Sequence, residues 1–430
     1  MFVRILRILL FLLIFSLPLG QFGRVPGLDP TIGVYVSDLL LGVFCLAAAI
    51  YLVGKRREIR EIGERRGILT ITLVAVFCLW AVACLAFGGS VLSNTELLIS
   101  FSYWVRLLLF VVFFAEIYLL KKVAPEVVKS LPIWLVLSGV LLAVTGFVQL
   151  VIFPDFGLLD KALGWDPHLY RLNSTFFDPN FTGAYLVLCL GLLFVWKTED
   201  GIQKTDSRKQ KTDNRLKIVI CYLLFVILTA AVFLTFSRSA WLMLAIVVFI
   251  YGLFRSRLLL LFALLLAFGA YFAVPRVQTR LSGITDPADS AQFRIASWQE
   301  GLQLSSKNLL TGVGFNALRY AKDSSEFYDY RPGLSTHSGA GFDSSLLVVL
   351  ATTGVLGLVL FVAFYGVSLV GMLRRTADLD PSLGVQDDVN RRLLIAAVLV
   401  ALLVESNFIN SLFYAPITVV WASILGLFVD

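Results

Sequence analysis

The segment GILTITLVAVFCLWAVACLAFG, residues 67–88, has no charged side chain along its length. A helix that crosses the hydrocarbon core of a bilayer needs about 20 mostly apolar residues, so this segment is long enough to span a membrane. Similar apolar runs recur along the whole chain. They predict an all-α integral membrane protein with about twelve transmembrane helices, near residues 5–20, 33–54, 67–88, 98–120, 131–152, 179–196, 217–236, 239–254, 258–274, 343–372, 393–411 and 413–429.

The composition excludes the main soluble classes. Of 430 residues, 58% are hydrophobic and 15% are charged, against roughly a quarter charged in ordinary soluble domains. The mean hydropathy is +0.86. A water-soluble globule needs more polar surface than this, and disordered chains are poor in apolar residues, so neither class fits.

The basic loops predict the orientation, because short loops rich in lysine and arginine stay in the cytoplasm. With twelve spans and a cytoplasmic N-terminus, all such loops fall on one side, and the C-terminus is cytoplasmic as well. The net charge of +7 is therefore explained by topology, and no nucleic-acid partner is predicted. These loops lie near residues 55–66, 121–122, 197–217, 255–257 and 374–375.

Two connections on the opposite, outer side are long, near 153–178 and 275–342. The second is predicted to be a large periplasmic loop that contains short helices, within a single membrane domain that covers residues 1–430. Residues 293–308 have the pattern of an amphipathic helix lying on the membrane surface. Long loops in compact proteins are usually functional. No internal repeat is strong enough to favour an inverted-repeat transporter.

Metal and disulfide chemistry find little support in the sequence. All five cysteines lie inside apolar runs, as is typical of small buried hydrophobic residues. Two histidines, His168 and His337, are too few for a histidine-rich site, and the outer loops have no DxD pair. We therefore expect no metal and no cofactor.

Two arginines stand on the predicted outer side. Arg238 lies in the turn TFSRSAWL and Arg294 in QFRIASWQEGL. Each is either an interfacial arginine that reaches lipid phosphates or a planar donor fork that clamps a phosphate ligand. Downstream, Gly312 and Gly314 predict a turn that allows close backbone approach, and as a phosphate motif this short sequence is weak.

The histidines differ in their surroundings. His337 lies in a loop rich in serine and glycine, which has few apolar neighbours to bury it, so it is a candidate general base. His168 lies in the other long outer loop, where packing is the favoured role.

Ionisable residues inside apolar runs form a third group of candidates. Asp38, Arg106, Glu116 and Glu405 lie where charges are costly and usually pair or line a cavity. Glu116 is too far along the helix to pair with Arg106, so the arginine requires a partner on another helix. Both a structural ion pair and a substrate contact remain open for Arg106.

Together these elements resemble the bacterial O-antigen ligase and O-antigen polymerase superfamily. No single motif is specific, but their order, spacing and side of the membrane agree over about residues 171–372. The motifs are STFFDPNFTGAYL (174–186), TFSRSAWL (235–242), FRIASWQEGL (293–302), TGVGFNAL (311–318) and DSSLLVVLATTGVLGLVLF (343–361).

The resemblance implies a membrane-embedded glycosyltransferase of the inner membrane, with its active site facing the periplasm. Such ligases transfer a glycan from undecaprenyl pyrophosphate to a sugar hydroxyl of lipid A–core, with inversion and without a metal. Carried over, Arg238 and Arg294 would hold the pyrophosphate and His337 would be the base. The family's DPN turn falls at Asp178 and Asn180, whose role is either substrate contact or structure.

Several alternatives remain open from the sequence. A polymerase of the same superfamily would use the same donor with a growing polysaccharide as acceptor, and a third variant would glycosylate protein. A polytopic carrier or flippase belongs to another class, although the polar residues concentrate in outer loops rather than near the midplane. A structural membrane scaffold is the simplest option.

Overall fold

The structure is a computed structural model that describes residues 1–27, 33–61, 65–88, 92–157, 168–199, 208–283, 290–323, 341–377 and 386–429. In these ranges the chain is helical apart from turns, short 3-10 segments and two isolated antiparallel bridges, Arg24 with Tyr35 and Asp155 with Leu169. The predicted all-helical class is therefore confirmed for this part of the chain.

The described residues form seventeen α-helices. The first seven are α1 (Phe2–Ser16), α2 (Val36–Gly54), α3 (Arg56–Arg60), α4 (Arg65–Gly88), α5 (Asn94–Val123), α6 (Pro125–Val128) and α7 (Leu131–Ile152). The next five are α8 (Pro179–Glu199), α9 (Arg208–Leu234), α10 (Arg238–Arg255), α11 (Arg257–Ala273) and α12 (Pro275–Ser282). The last five are α13 (Ser290–Lys307), α14 (Leu318–Asp323), α15 (Ser345–Ala377), α16 (Gln386–Glu405) and α17 (Ala415–Phe428).

Within the described ranges, eight helices are long and apolar enough to cross a membrane. A ninth candidate is the pair α11 and α12, which is bent by 97° between its two parts. Each of the twelve predicted apolar runs coincides with a helix. Three of these helices, α8, α16 and α17, are not among the candidate membrane spans. Twelve spans therefore stay a prediction. The eight candidates are Phe2–Gly23, Val36–Gly54, Gly67–Gly88, Asn94–Val123, Pro125–Ile152, Leu216–Leu234, Arg238–Arg255 and Ser345–Leu373.

Two shorter helices lie at the centre of the bundle. Residues 182–193 of α8 are all buried, and so are residues 416–426 of α17. A helix that is apolar on every face belongs in the interior, surrounded by other helices. Accordingly, α8 packs against α7, α9, α10, α16 and α17, while α17 also packs against α5.

The loop predicted over 275–342 is partly described. The expected amphipathic segment is helical as α13, which packs on α15 through Trp298 and Leu304. Phe293, Ile295 and Leu302 of the same helix are exposed. An exposed apolar side is compatible with the predicted position on a membrane surface, which stays a prediction.

Helix α15 is interrupted at Gly354, where φ is 68° and ψ is −172°. A break inside a membrane-spanning helix leaves backbone carbonyls that lipid cannot satisfy. Here the Val313 N–H donates to the Ala351 carbonyl at 2.8 Å, and the Trp80 indole donates to the Thr353 carbonyl at 2.9 Å. The TGVG turn therefore approaches the backbone of α15, and a Cβ at Gly312 would collide with that backbone.

Replacement of Gly354 by alanine should destabilise the fold. An L-residue is strained at this positive φ, and its Cβ would collide with the Leu310 carbonyl. The backbone strain alone is expected to cost about 1–3 kcal/mol. Thermal unfolding in detergent micelles measures the loss.

Gly366→Ala is the matched control, because Gly366 lies in the same helix and nothing lies within 4 Å of an added Cβ there. We expect its unfolding temperature to stay near that of the parent protein or to rise, since alanine is the better helix former by about 1 kcal/mol. Equal losses in both variants would contradict the account of the break.

Candidate active site

Three segments that are distant in sequence meet at one end of the bundle, which we call the loop end. Residues 168–178, the turn 235–239 and helix α12 are joined there by direct hydrogen bonds. The Leu172 N–H donates to the Leu234 carbonyl at 2.9 Å. Arg276 donates to the Tyr170 carbonyl at 2.6 Å, and Arg280 donates to the Phe236 carbonyl at 3.3 Å.

The backbone at the loop end is unusual. Among the described non-glycine residues, five have positive φ, and four of these lie in the first two segments: Tyr170 (51°), Ser174 (51°), Phe177 (60°) and Phe236 (47°). Such conformations persist only where surrounding contacts hold them, and they concentrate at functional sites. This concentration marks the loop end as the candidate site.

The DPN turn begins helix α8 and contacts the arginine turn. Asp178 accepts hydrogen bonds from the backbone N–H groups of Asn180 at 2.6 Å and Phe181 at 3.1 Å. The amide oxygen of Asn180 accepts from the Ser237 hydroxyl at 2.7 Å. Asp178 therefore stabilises the DPN turn, and Asn180 joins this turn to the arginine turn. Both residues have a structural role, and a contact with substrate stays a prediction.

Helix α10 begins at the predicted arginine. Ser237 is the N-cap, and its hydroxyl oxygen accepts from the Ala240 N–H at 3.3 Å. Arg238 follows as the first helical residue, half-buried, and donates to the Arg280 carbonyl at 3.3 Å. Capping thus holds the start of α10, and with it the Cα of Arg238, at the loop end.

Arg171 is the buried centre of a group that we call the arginine cluster. Its guanidinium donates to the carbonyls of Thr235 at 2.9 Å and Phe236 at 3.3 Å, and it lies 3.4 Å from a ring nitrogen of His168. The cluster consists of Arg171, Arg238, Arg276, Arg280 and Arg294. Arg171 interacts electrostatically with Arg276, Arg280 and Arg294, and Arg238 joins the cluster through its hydrogen bond to the Arg280 carbonyl.

Two carboxyl groups face the arginine cluster. Asp178 interacts electrostatically with Arg171 and Arg294, and Glu405 interacts with Arg294. Glu405 is fully buried at the end of α16; one of its oxygens accepts from the Ser411 hydroxyl at 2.6 Å, and the other has no hydrogen-bond partner among the described residues. Among the described residues of the loop end, five guanidiniums outnumber these two carboxyl groups, which favours an anionic ligand.

The pKa values of two buried groups at the loop end are shifted mainly by burial. Burial, and then the repulsion of Arg280, lower the pKa of the Arg171 guanidinium to about 9. The group stays protonated at neutral pH. Burial raises the pKa of the Asp178 carboxyl, although its backbone donors and Arg171 lower it.

His337 lies outside the described residues, so the expected base has no described position. The chain shortly after it is anchored near Arg294. The Trp298 indole of α13 donates to the Asp343 carbonyl at 3.2 Å, and the Asp343 N–H donates to the Ser297 hydroxyl oxygen at 3.3 Å. The loop that carries His337 therefore ends against the helix that carries Arg294.

Arg106 is not part of the arginine cluster. It forms an ion pair with Asp38 at 2.7 Å, donates to the Gly33 carbonyl and lies over the Tyr103 ring at 4.9 Å. The partner that the sequence required is thus Asp38, on the neighbouring α2. This geometry favours the structural interpretation of Arg106.

The sequence did not single out three arginines of the cluster, Arg171, Arg276 and Arg280. Arg171 has no neighbouring charge in sequence to mark it. Arg276 and Arg280 lie at positions i and i+4 of α12, on one face of the helix, and this spacing is the signal that would have paired them. Within the described ranges, no group of three or more His, Cys, Asp or Glu side chains could hold a metal ion.

The fold and the loop end define a multi-pass helical membrane protein with a cationic site at one end of its bundle. Residues 223–362 match the family model described as O-antigen ligase, which confirms the resemblance to the O-antigen ligase superfamily. The matched segment contains Arg238, Arg294 and His337. No curated protein matches the chain. The family match supports a ligase- or polymerase-type function in O-antigen biosynthesis and, with the apolar helices, a multi-pass protein of the inner membrane.

Asp38→Asn tests the structural role of the Arg106 ion pair. The side chains are only 12% and 17% exposed, so loss of the carboxylate leaves a largely buried guanidinium without its counter-charge. We expect a loss of about 1–3 kcal/mol in the free energy of unfolding, measured by unfolding in detergent.

Glu96→Gln is the control, because Glu96 caps α5 from the same third helical position that Asp38 has in α2. It should cost less than Asp38→Asn. If the two variants lose the same stability, helix capping rather than the ion pair explains the effect.

Proposed function

We propose that the protein is an inverting, metal-independent glycosyltransferase that moves a glycan from undecaprenyl pyrophosphate to a sugar hydroxyl of lipid A–core. The single observation that supports this most strongly is the arginine cluster, which brings five arginines to one end of an apolar bundle, where Asp178 and Glu405 interact with some of them. The matched family supplies the reaction type.

The cluster suits the leaving group. When the glycosidic bond to phosphorus-bound oxygen breaks, the pyrophosphate gains negative charge, and fixed cations in a place of low dielectric stabilise that charge strongly. Guanidinium forks match phosphate oxygens in a bidentate geometry. In this role Arg238 and Arg294 bind the pyrophosphate, and the other cluster arginines keep the local potential positive.

The proposed base is His337. The acceptor hydroxyl attacks the anomeric carbon from the face opposite the pyrophosphate, so the configuration inverts. Its proton passes to the imidazole, and the bond electrons leave with the pyrophosphate. Because the base acts on the acceptor hydroxyl, it belongs on the face of the anomeric carbon opposite the pyrophosphate and its arginines.

The proposed orientation places the loop end in the periplasm and both termini in the cytoplasm. Membrane lipids surround the bundle, and the polyprenyl tail of the donor stays in this apolar phase while its pyrophosphate reaches the arginine cluster. Exposed apolar residues on the outside of α11, including Leu258 at 76% and Phe268 at 65%, are compatible with contact to lipid tails.

Arg238→Lys and Arg294→Lys test the pyrophosphate role. Lysine keeps the charge but loses the planar donor fork, so transfer from a purified lipid-linked donor should fall by about 10- to 100-fold. Arg255→Lys is the matched control, because exposed Arg255 lies at the other end of the helix that Arg238 begins. Transfer at the level of this control would contradict the assignment.

His337→Ala tests the general base. Transfer should fall by about 10²–10⁴-fold, while binding of the lipid-linked donor, measured separately, should be unchanged. Normal transfer in this variant would contradict the assignment of His337 as the base. Loss of donor binding would instead make His337 a binding residue. A carrier or flippase would show no transfer in any of these proteins.

The same assay separates the related functions. Transfer that continues in the presence of a chelator supports the metal-independent mechanism, and transfer that stops contradicts it. Product formed only with lipid A–core supports a ligase. Product formed only with a lipid-linked glycan as acceptor identifies a polymerase.

A further inference from the structure

Arg171 does not bind the pyrophosphate in the proposed reaction, although it is the most buried residue of the arginine cluster, with 8% of its surface exposed. It connects two segments that are far apart in sequence. Its Nε donates to the Thr235 carbonyl at 2.9 Å and its Nη2 to the Phe236 carbonyl at 3.3 Å. Both acceptors belong to the turn that leads into Arg238.

This turn needs such donors. Helix α9 ends at Leu234, so the carbonyls that follow have no intrahelical partner. The Leu172 N–H donates to the Leu234 carbonyl, and Arg171 donates to the carbonyls of Thr235 and Phe236. Arg280 also donates to the Phe236 carbonyl, so the distinctive contribution of Arg171 is to join the two successive carbonyls. Phe236 has a φ of 47°, which a non-glycine residue adopts only when its surroundings hold it.

The placement is costly for the protein. A buried guanidinium is desolvated, and Arg171 is also repelled by Arg280, Arg294 and Arg276, although Asp178 attracts it. Buried charges of this kind add little net stability compared with apolar residues of the same size. A neutral residue without donors would avoid both costs but would lose the two hydrogen bonds to the turn, so the reason for an arginine here lies in those hydrogen bonds rather than in its charge.

We propose that Arg171 is a positioning residue: its guanidinium fork holds the 235–237 turn so that Arg238 is presented to the anionic ligand. The inference rests on the proposed pyrophosphate role of Arg238, but the geometry of the turn is independent of it. Lysine cannot replace the fork, because a single ammonium lacks the rigid pair of donors that spans two successive carbonyls. A small displacement of a positioned group can reduce a rate by about 100-fold.

The first experiment measures the turn itself. Amide hydrogen exchange of residues 235–239 is compared in the full-length parent protein, Arg171→Lys, Arg171→Met and the control Arg255→Met. In both Arg171 variants we expect exchange in the turn to rise by about tenfold or more, with α5 unchanged. Unchanged exchange in the turn overturns the inference. Arg171→Lys keeps the charge, and it serves if the methionine variant fails to fold.

The second experiment measures the presentation of Arg238. Phenylglyoxal modifies exposed guanidiniums, and mass spectrometry reads the modification of Arg238 and Arg255 separately. Inorganic pyrophosphate should protect Arg238 in the parent protein, and protection in Arg171→Lys should require about tenfold more pyrophosphate, with Arg255 unaffected. Equal protection in both proteins overturns the inference.

The two experiments distinguish the inference from the proposed function. If pyrophosphate does not protect Arg238 in the parent protein, the proposed function fails, and the positioning of that residue for an anion fails with it. If pyrophosphate protects Arg238 equally well in the parent protein and in Arg171→Lys, the proposed function stands and the positioning role is wrong. A lower kcat in Arg171→Lys, with an unchanged unfolding temperature, further supports positioning over a purely structural role.

Discussion

In hydrocarbon, a backbone carbonyl or N–H without a hydrogen-bond partner costs roughly several kcal/mol, because no water is present to serve as the partner. This constraint accounts for the helical architecture and for its exceptions. Where α15 breaks at Gly354, Val313 and Trp80 provide donors to the freed carbonyls. Where α9 ends, Arg171 does the same for Thr235 and Phe236. At both of these described breaks, donors from distant parts of the chain satisfy the freed carbonyls.

The same constraint links structure to chemistry at the loop end. Arginine has five donors and keeps its charge, so an arginine recruited to satisfy carbonyls also brings a cation into a place of low dielectric. Arg171, Arg276 and Arg280 all donate to backbone carbonyls. Their charges accumulate beside Arg238 and Arg294, and Asp178 and Glu405 balance them only in part. An anionic ligand would complete this arrangement.

Individual residues show how far sequence reasoning reaches. Apolar runs locate the helices because hydrocarbon requires a continuous apolar segment, and Arg238 and Arg294 stand out because they lie in motifs that resemble those of the superfamily. Arg106 needed a partner, but Asp38 could not be chosen from several carboxyl groups without the packing of α2 on α5. Arg171 was missed since nothing local distinguishes it, and its partners lie more than sixty positions away in the chain.

The amino-acid sequence alone determined that the chain is a helical membrane protein, where its apolar helices lie, and which superfamily it resembles, because these properties depend on composition, local periodicity and short motifs. Tertiary structure decided that α8 and α17 occupy the centre, that the TGVG turn supports a broken α15, and that five arginines share one site. These features depend on hydrogen bonds and Coulomb interactions between distant segments, which exist only once the helices have packed.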